Sequence, residues 1–165
     1  MSGKALNGKR ATRQEIEIIL DKLYSLGFKN HCQKFEVCGS YRRGKLDSGD
    51  IDIVIIPKES FKEWFDNLPF PKRKGHFADN VLIDEVQVDF FLCDASNYAT
   101  AVMTWTGSRG FNIRMRGMCF DAGYVYTRFG IYDRETKQLI NGIKEESDIF
   151  NLIGIDYIPP ENRWK

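Results

Sequence analysis

The chain has 165 residues, 42% of them hydrophobic, enough for one sizeable core or two small lobes and too few for several independent domains. It contains no run of eighteen apolar residues, and Met1-Ser2-Gly3-Lys4 opens it without the apolar stretch of a signal peptide, so a soluble intracellular protein with no membrane partner is expected. The net charge of +1 hides an uneven distribution: residues 1–50 carry ten Lys/Arg against six Asp/Glu, residues 51–100 five against nine, and residues 95–120 three arginines and no acid, which is an acidic centre flanked by basic surfaces.

Thr12 and Glu15 form a capping-box pattern, followed by Ile16, Ile19, Leu20, Leu23 and Leu26 at helical spacing and by Gly27 as a stop, so an amphipathic helix opens the fold. A short strand is predicted at Phe35–Cys38, ending at Gly39-Ser40, and another at Ile51–Ile56 between Gly49 and Pro57. A short helix over Glu59–Asp66, a basic loop over Pro69–Lys74, and strands at Val81–Ile83 and Val86–Cys93 complete a first lobe, residues 1–95. The second lobe, residues 96–165, starts with a helix from Ser96 through Met103, a Thr106-Gly107-Ser108 turn and a helix to about Asp121. Strand pieces follow at Tyr124–Tyr126, Gly130–Tyr132 and Leu139–Ile140, then a last helix capped by Ser147 and stopped by Gly154, and an extended Ile158-Pro159-Pro160 tail. Cys32, Cys38, Cys93 and Cys119 show no CxxC pair and no metal-ligand rhythm, so reduced buried thiols are expected.

Asp50 and Asp52 stand two apart in Gly49-Asp50-Ile51-Asp52-Ile53-Val54, and the period of a strand puts both carboxylates on one face, with Ile51, Ile53 and Ile55 on the other. Two like charges that close require a cation or a solvated end. Taken alone, such a pair serves equally to open a strand toward water. Asp89 adds a third acid within the apolar run Val86–Leu92, where packing gives no reason for one. Three carboxylates on neighbouring strands suit magnesium or manganese, not zinc, and can hold two ions.

Gly39-Ser40-Tyr41-Arg42-Arg43-Gly44 follows a strand and precedes the acidic pair by a short arm. Small residues there let backbone N–H groups approach phosphate oxygens, Ser40 adds a hydroxyl, and an arginine adds a bidentate fork. The hexapeptide with Gly49-Asp50-Ile51-Asp52 resembles the signature of the nucleotidyltransferase superfamily, specifically of DNA polymerase family X. The likeness continues in Thr104-Trp105-Thr106-Gly107-Ser108, Phe111-Asn112, Met115-Arg116, Asp148-Ile149-Phe150 and Tyr157-Ile158-Pro159-Pro160-Glu161.

The resemblance implies an α+β fold, a nucleotidyltransferase palm of a small mixed sheet with helices followed by a small α/β thumb-like lobe. It implies two Mg²⁺ or Mn²⁺ ions held by Asp50, Asp52 and Asp89, the last nearest the attacking 3′-hydroxyl, and triphosphate contacts from Ser40, Arg43 and the Gly39 and Gly49 backbone. Thr104, Trp105, Gly107 and Asn112 would flank the incoming sugar and base, Arg116 would lie in the minor groove, and Arg109 and Arg114 would touch the DNA backbone.

Full-length relatives carry an N-terminal lyase domain and a helix-hairpin-helix module. This chain begins too late for either, so no abasic-site lyase activity and a weak grip on DNA are expected, as in compact viral members. Thr104 stands where polymerases beta and lambda have tyrosine and where polymerase mu and terminal transferase have glycine; Phe91 and Arg128 replace an arginine and a glutamate that some relatives use in closing. The expected function is a monomeric DNA polymerase filling short gaps in gapped or primer-template DNA from nucleoside triphosphates. Alternatives are a template-independent terminal transferase, a nucleotidyltransferase on RNA or another acceptor, and a non-catalytic DNA-binding module.

Overall fold

The computed structural model describes residues 9–164; residues 1–4, on which the expectation of no signal peptide rests, lie outside the described residues. Strand β1 (Ala11–Thr12) runs into α1 (Arg13–Ser25), where Thr12 caps the helix and Glu15 returns the bond to the Thr12 amide, the reciprocal arrangement its sequence predicts. Gly27 adopts φ +86°, which ends the helix, and a 3₁₀ turn (Phe28–His31) leads into β2 (Cys32–Val37). The Gly39-Ser40 segment, where the strand was expected to end, opens a short helix, α2 (Gly39–Arg42). Strands β3 (Asp47–Ser48) and β4 (Asp50–Pro57), helix α3 (Phe61–Asp66), and strands β5 (Lys72–Arg73), β6 (Asp79–Ile83) and β7 (Val86–Leu92) follow. The Pro69–Lys74 loop thus contains a two-residue strand, because Lys72 and Arg73 pair with Val81 and Asn80.

The five-stranded sheet has the order β2-β4-β7-β6-β5 and is mixed: β4 and β7 run parallel and the other pairs antiparallel. Ile51, Ile53 and Ile55 of β4 face a core with α1, α3 and the Phe28, Phe65 and Phe90 rings. The opposite face of β4 carries Asp50, Asp52 and Val54, and Val54 is covered with Phe91 by α4 (Tyr98–Thr106), through Tyr98, Ala101 and Val102. Burial on both faces beyond the first turn of the strand explains its continuous apolar run.

Helix α4 reaches three residues past the predicted end at Met103. Gly107, at φ +67°, then separates it from α5 (Arg109–Asp121), whose N-terminus is capped by Ser108. Strands β8 (Tyr124–Thr127) and β9 (Gly130–Asp133) form a hairpin, but Leu139 makes only a single bridge to Tyr132, not a strand. In α6 (Glu146–Leu152) the cap is Glu145, reciprocated by Asp148; Ser147 lies inside the first turn. The tail closes in a 3₁₀ turn at Pro160–Asn162. Phe111, Met115 and Cys119 of α5 pack with Tyr126, Ile131, Ile149 and Phe150 in a core of their own. All four cysteines are free thiols. Among the described residues no helix is long and apolar enough to cross a membrane.

Candidate active site

The parallel register of β4 and β7 sets Asp52 directly beside Asp89, with Asp50 beside Gln87. One carboxylate oxygen of each of Asp50, Asp52 and Asp89 lies within 4.8 Å of the others. Asp89 is buried and accepts two hydrogen bonds from Gln87 Nε2, at 2.8 and 2.9 Å, so its plane is fixed from the strand. Burial pushes the Asp89 carboxyl up to about 6, helped by the nearby Asp50 charge and opposed by Gln87 and Asn80. Asp52 is raised well above its ordinary value, by burial first and then by Asp50 and Asp89, against Arg43; Asp50 is raised by burial against Arg10. Three acids that resist ionising one another are an all-oxygen donor set short of positive charge, which fits a divalent cation of the magnesium or manganese type.

Cys38 N–H donates to the Asp52 carbonyl at 2.7 Å, which brings the start of α2 up against the acidic pair. The approach demands glycine next: at Gly39, φ +60°, a Cβ would lie 2.2 Å from Asp52 Oδ2. Ser40 is bonded through its hydroxyl to Ser48. Arg43 reaches across to the Thr106 carbonyl, while its buried Nε has no partner. Asn112 donates to the Thr104 carbonyl at 2.7 Å and leaves a buried, unpartnered Oδ1.

These groups line one open cavity of about 550 Å³, walled by Gly39, Ser40, Arg43, Asp50 and Asp52 on one side and by Thr104, Trp105, Gly107, Arg109, Asn112 and Arg116 on the other. Eleven of the fourteen residues singled out in the sequence therefore meet there. Asp89 adjoins through the carboxylate cluster. Gly49 does not line the cavity, and a Cβ there would meet only Arg10 at an ordinary 3.7 Å. Arg114 lies off the cavity, 6.0 Å from the Phe111 ring, because α5 presents Arg109, Asn112, Ile113 and Arg116 to it at helical spacing.

Sequence reasoning passed over several contributors. Ile113 and Ser108 also line the cavity. Glu146 is buried between Arg42, at 2.7 Å, and the fully buried Arg163, at 2.6 Å, and Arg42 also donates to Thr106 Oγ1 at 2.9 Å. These side chains tie α2 and the end of α4 to the C-terminal segment. The signal was the second arginine beside Arg43, to which the sequence reading gave no role; Arg42 is spent on structure.

Models of the DNA polymerase beta palm and the DNA polymerase beta thumb match residues 10–115 and 101–164. The chain is 28% identical over 141 residues to the DNA polymerase/3′-5′ exonuclease PolX of Bacillus subtilis, an alignment covering 81% of this chain and 25% of that protein. It is 33% identical to a Homo sapiens DNA nucleotidylexotransferase, over 76% of this chain and 35% of the relative. Leishmania infantum polymerase beta, solved as a ternary P/T complex, superposes with a TM-score of 0.80 at 21% identity, covering 96% of this chain and 78% of that one. The chain spans a quarter to about a third of the length of these curated relatives. With palm and thumb models together matching nearly the whole length, the chain belongs to DNA polymerase family X.

Proposed function

We propose that the chain is a metal-dependent DNA polymerase that adds nucleotides to a DNA 3′ end from nucleoside triphosphates, filling short gaps in repair and acting as a monomer. The observation that carries this reading is the convergence of Asp50, Asp52 and Asp89 within 4.8 Å beside a cavity edged by Ser40 and Arg43. The chemistry that two bound Mg²⁺ or Mn²⁺ ions supply is activation of the attacking hydroxyl and neutralisation of the leaving pyrophosphate. Asp50 and Asp52 would hold them from one strand face and Asp89 from the next. Asp89, buried and with its proton affinity raised to about 6, is the group suited to take the hydroxyl proton. Ser40 and Arg43 orient the triphosphate, Arg43 through the Nε that nothing in the fold occupies. Trp105, Gly107 and Asn112 bound the sugar and base, and Arg109 and Arg116 hold DNA at the outer edge of α5. Asp89→Asn should leave a folded protein that extends a primer at least ~100-fold more slowly, since an ion ligand and a proton acceptor go together. Near-normal extension by this variant rejects the mechanism.

A second reading keeps the chemistry and drops the template. It is favoured by the relatives named DNA nucleotidylexotransferase and by the tryptophan at Trp105. Primer extension compared on a gapped duplex, a single strand, RNA and no nucleic acid separates the two. DNA binding without any magnesium-dependent transfer would favour a non-catalytic module.

A further inference from the structure

Trp105 is a wall shared by two cavities. Its far side closes a second cleft of about 220 Å³ with Phe77, Phe91, Arg128 and Phe129. Phe91 stacks on Trp105 with ring centroids 3.5 Å apart and planes 16° apart. The Arg128 guanidinium lies 4.4 Å from the Phe77 ring centroid, 4.5 Å from that of Phe129 and 6.0 Å from that of Trp105. Phe77 comes from the loop between β5 and β6, whereas Arg128 and Phe129 form the turn between β8 and β9, so the cleft spans the palm and the thumb.

Neither hairpin residue is explained by folding. Neither Arg128 nor Phe129 has a positive φ, so the backbone of the turn calls for no particular side chain at either position. Phe77 and Phe129 are 55% and 57% exposed as residues, too open to repay much as core. Among the described residues no ion pair takes Arg128, so its guanidinium retains its donors for an anion while lying against π faces. Open aromatic faces around an uncommitted arginine match an unpaired nucleobase and its phosphate; a duplex keeps the faces of its bases stacked and hidden.

We infer that the Phe77, Arg128 and Phe129 cleft behind Trp105 binds one unpaired base of a single-stranded DNA segment passing the nucleotide cavity. The base stacks on the exposed phenyl faces and Arg128 takes the adjoining phosphate. The proposed polymerase activity enters only in choosing DNA as the ligand.

The test is fluorescence anisotropy of a labelled single-stranded oligodeoxynucleotide with the whole chain, in EDTA and without nucleotide. Loss of both rings, in Phe77→Ala/Phe129→Ala, should weaken binding ~10-fold, within the range of one or two lost stacking contacts. Phe129→Tyr should stay within about twofold of the starting protein. Arg128→Gln should lower the slope of log affinity against log salt by about 0.7, one phosphate contact on a single strand. Against an oligomer with abasic nucleotides the double alanine variant and the starting protein should bind alike. Equal affinity of the double variant for the intact oligomer, with thermal melting showing both proteins folded, overturns the inference; so does an equal loss on the abasic oligomer. The assay needs no catalysis: absent primer extension with the expected ring dependence would sink the polymerase reading and keep the cleft, and the reverse pattern would do the opposite.

Discussion

At the scale of single residues, two glycines of the Gly39–Gly44 segment separate conformational need from contact. Gly39 and Gly44 both have positive φ, +60° and +78°, but a Cβ at Gly44 would meet nothing within 4 Å, whereas at Gly39 it would strike the Asp52 carboxylate. Gly44→Ala is therefore expected to cost about 1 kcal/mol of stability, the price of a left-handed residue, and to leave manganese affinity unchanged. Gly39→Ala should carry the same strain and also displace Asp52, so that manganese binding followed by calorimetry falls ~10-fold or more. Binding that survived Gly39→Ala would deny the close approach its importance. Thr104 yields a second expectation. Its hydroxyl is turned inward, donating to the Thr100 carbonyl at 2.7 Å and sharing a 2.7 Å bond with Tyr126, so it presents only a small side chain to the cavity. A cavity without a bulky residue there should reject a 2′-hydroxyl by ~100-fold or less in kcat/KM, and a much stronger preference for deoxynucleotides refutes this. The acids of the site were legible because each violates the pattern around it: Asp50 and Asp52 open an isoleucine strand and Asp89 interrupts an apolar one. The partner that fixes Asp89, Gln87 two residues before it on the same strand, was not, since glutamine is not unusual there, and only the register of β4 with β7 brings Asp89 beside Asp52.

At the scale of elements, α5 shows what periodicity reveals and what it leaves open. Phe111, Met115 and Cys119 recur every four residues and are buried, so its inner face follows from sequence. Which outer face meets the cavity does not, because it depends on how α4 delivers the chain through Gly107. That geometry separates arginines that looked equivalent: Arg116 lines the cavity and Arg114 does not. Arg116→Ala should lower kcat/KM on a gapped duplex ~10-fold or more, while Arg114→Ala should change it about twofold at most and alter only the salt dependence of DNA binding. Equal effects on kcat/KM would mean that DNA wraps the helix more widely than the cavity. The same dependence on another element explains one misread segment, since Lys72-Arg73 becomes a strand only through β6. The cap of α6 was missed for a local reason: Glu145 displaces Ser147 because the Asp148 carboxylate accepts from both the Lys144 and Glu145 amides, at 2.8 and 2.9 Å. That box spans four residues as the one of α1 does, but glutamate is not among the usual cap residues, whereas Thr12 is.

At the scale of the whole molecule, the buried Arg42–Glu146–Arg163 cluster joins the α2 segment to the C-terminal segment, and its chemistry makes the union depend on pH. Two guanidiniums, one fully buried and one partly exposed, share one buried carboxylate, so the cluster needs its negative charge more than either arginine needs a given partner. Burial alone would raise the Glu146 carboxyl, but the hydrogen bonds and charges of Arg42 and Arg163 outweigh it and hold the group below its ordinary 4.5. A carboxyl depressed in the folded state contributes stability that is complete above 4.5 and is lost as pH falls through the folded value beneath it. Glu146→Gln removes the charge at every pH and leaves the buried Arg163, with the partly exposed Arg42, facing an amide, so urea unfolding at pH 7 should show a loss of about 3 kcal/mol. The same measurement repeated at falling pH should find the gap between variant and starting protein constant down to 4.5 and closing below it, because protonation then makes the two chemically alike. A gap that persists through the acid range would assign the loss to packing around residue 146. Because Arg42 also holds the Thr106 hydroxyl and Arg43 the Thr106 carbonyl, loosening the cluster should reach the cavity as well, raising KM for nucleotide more than it lowers kcat.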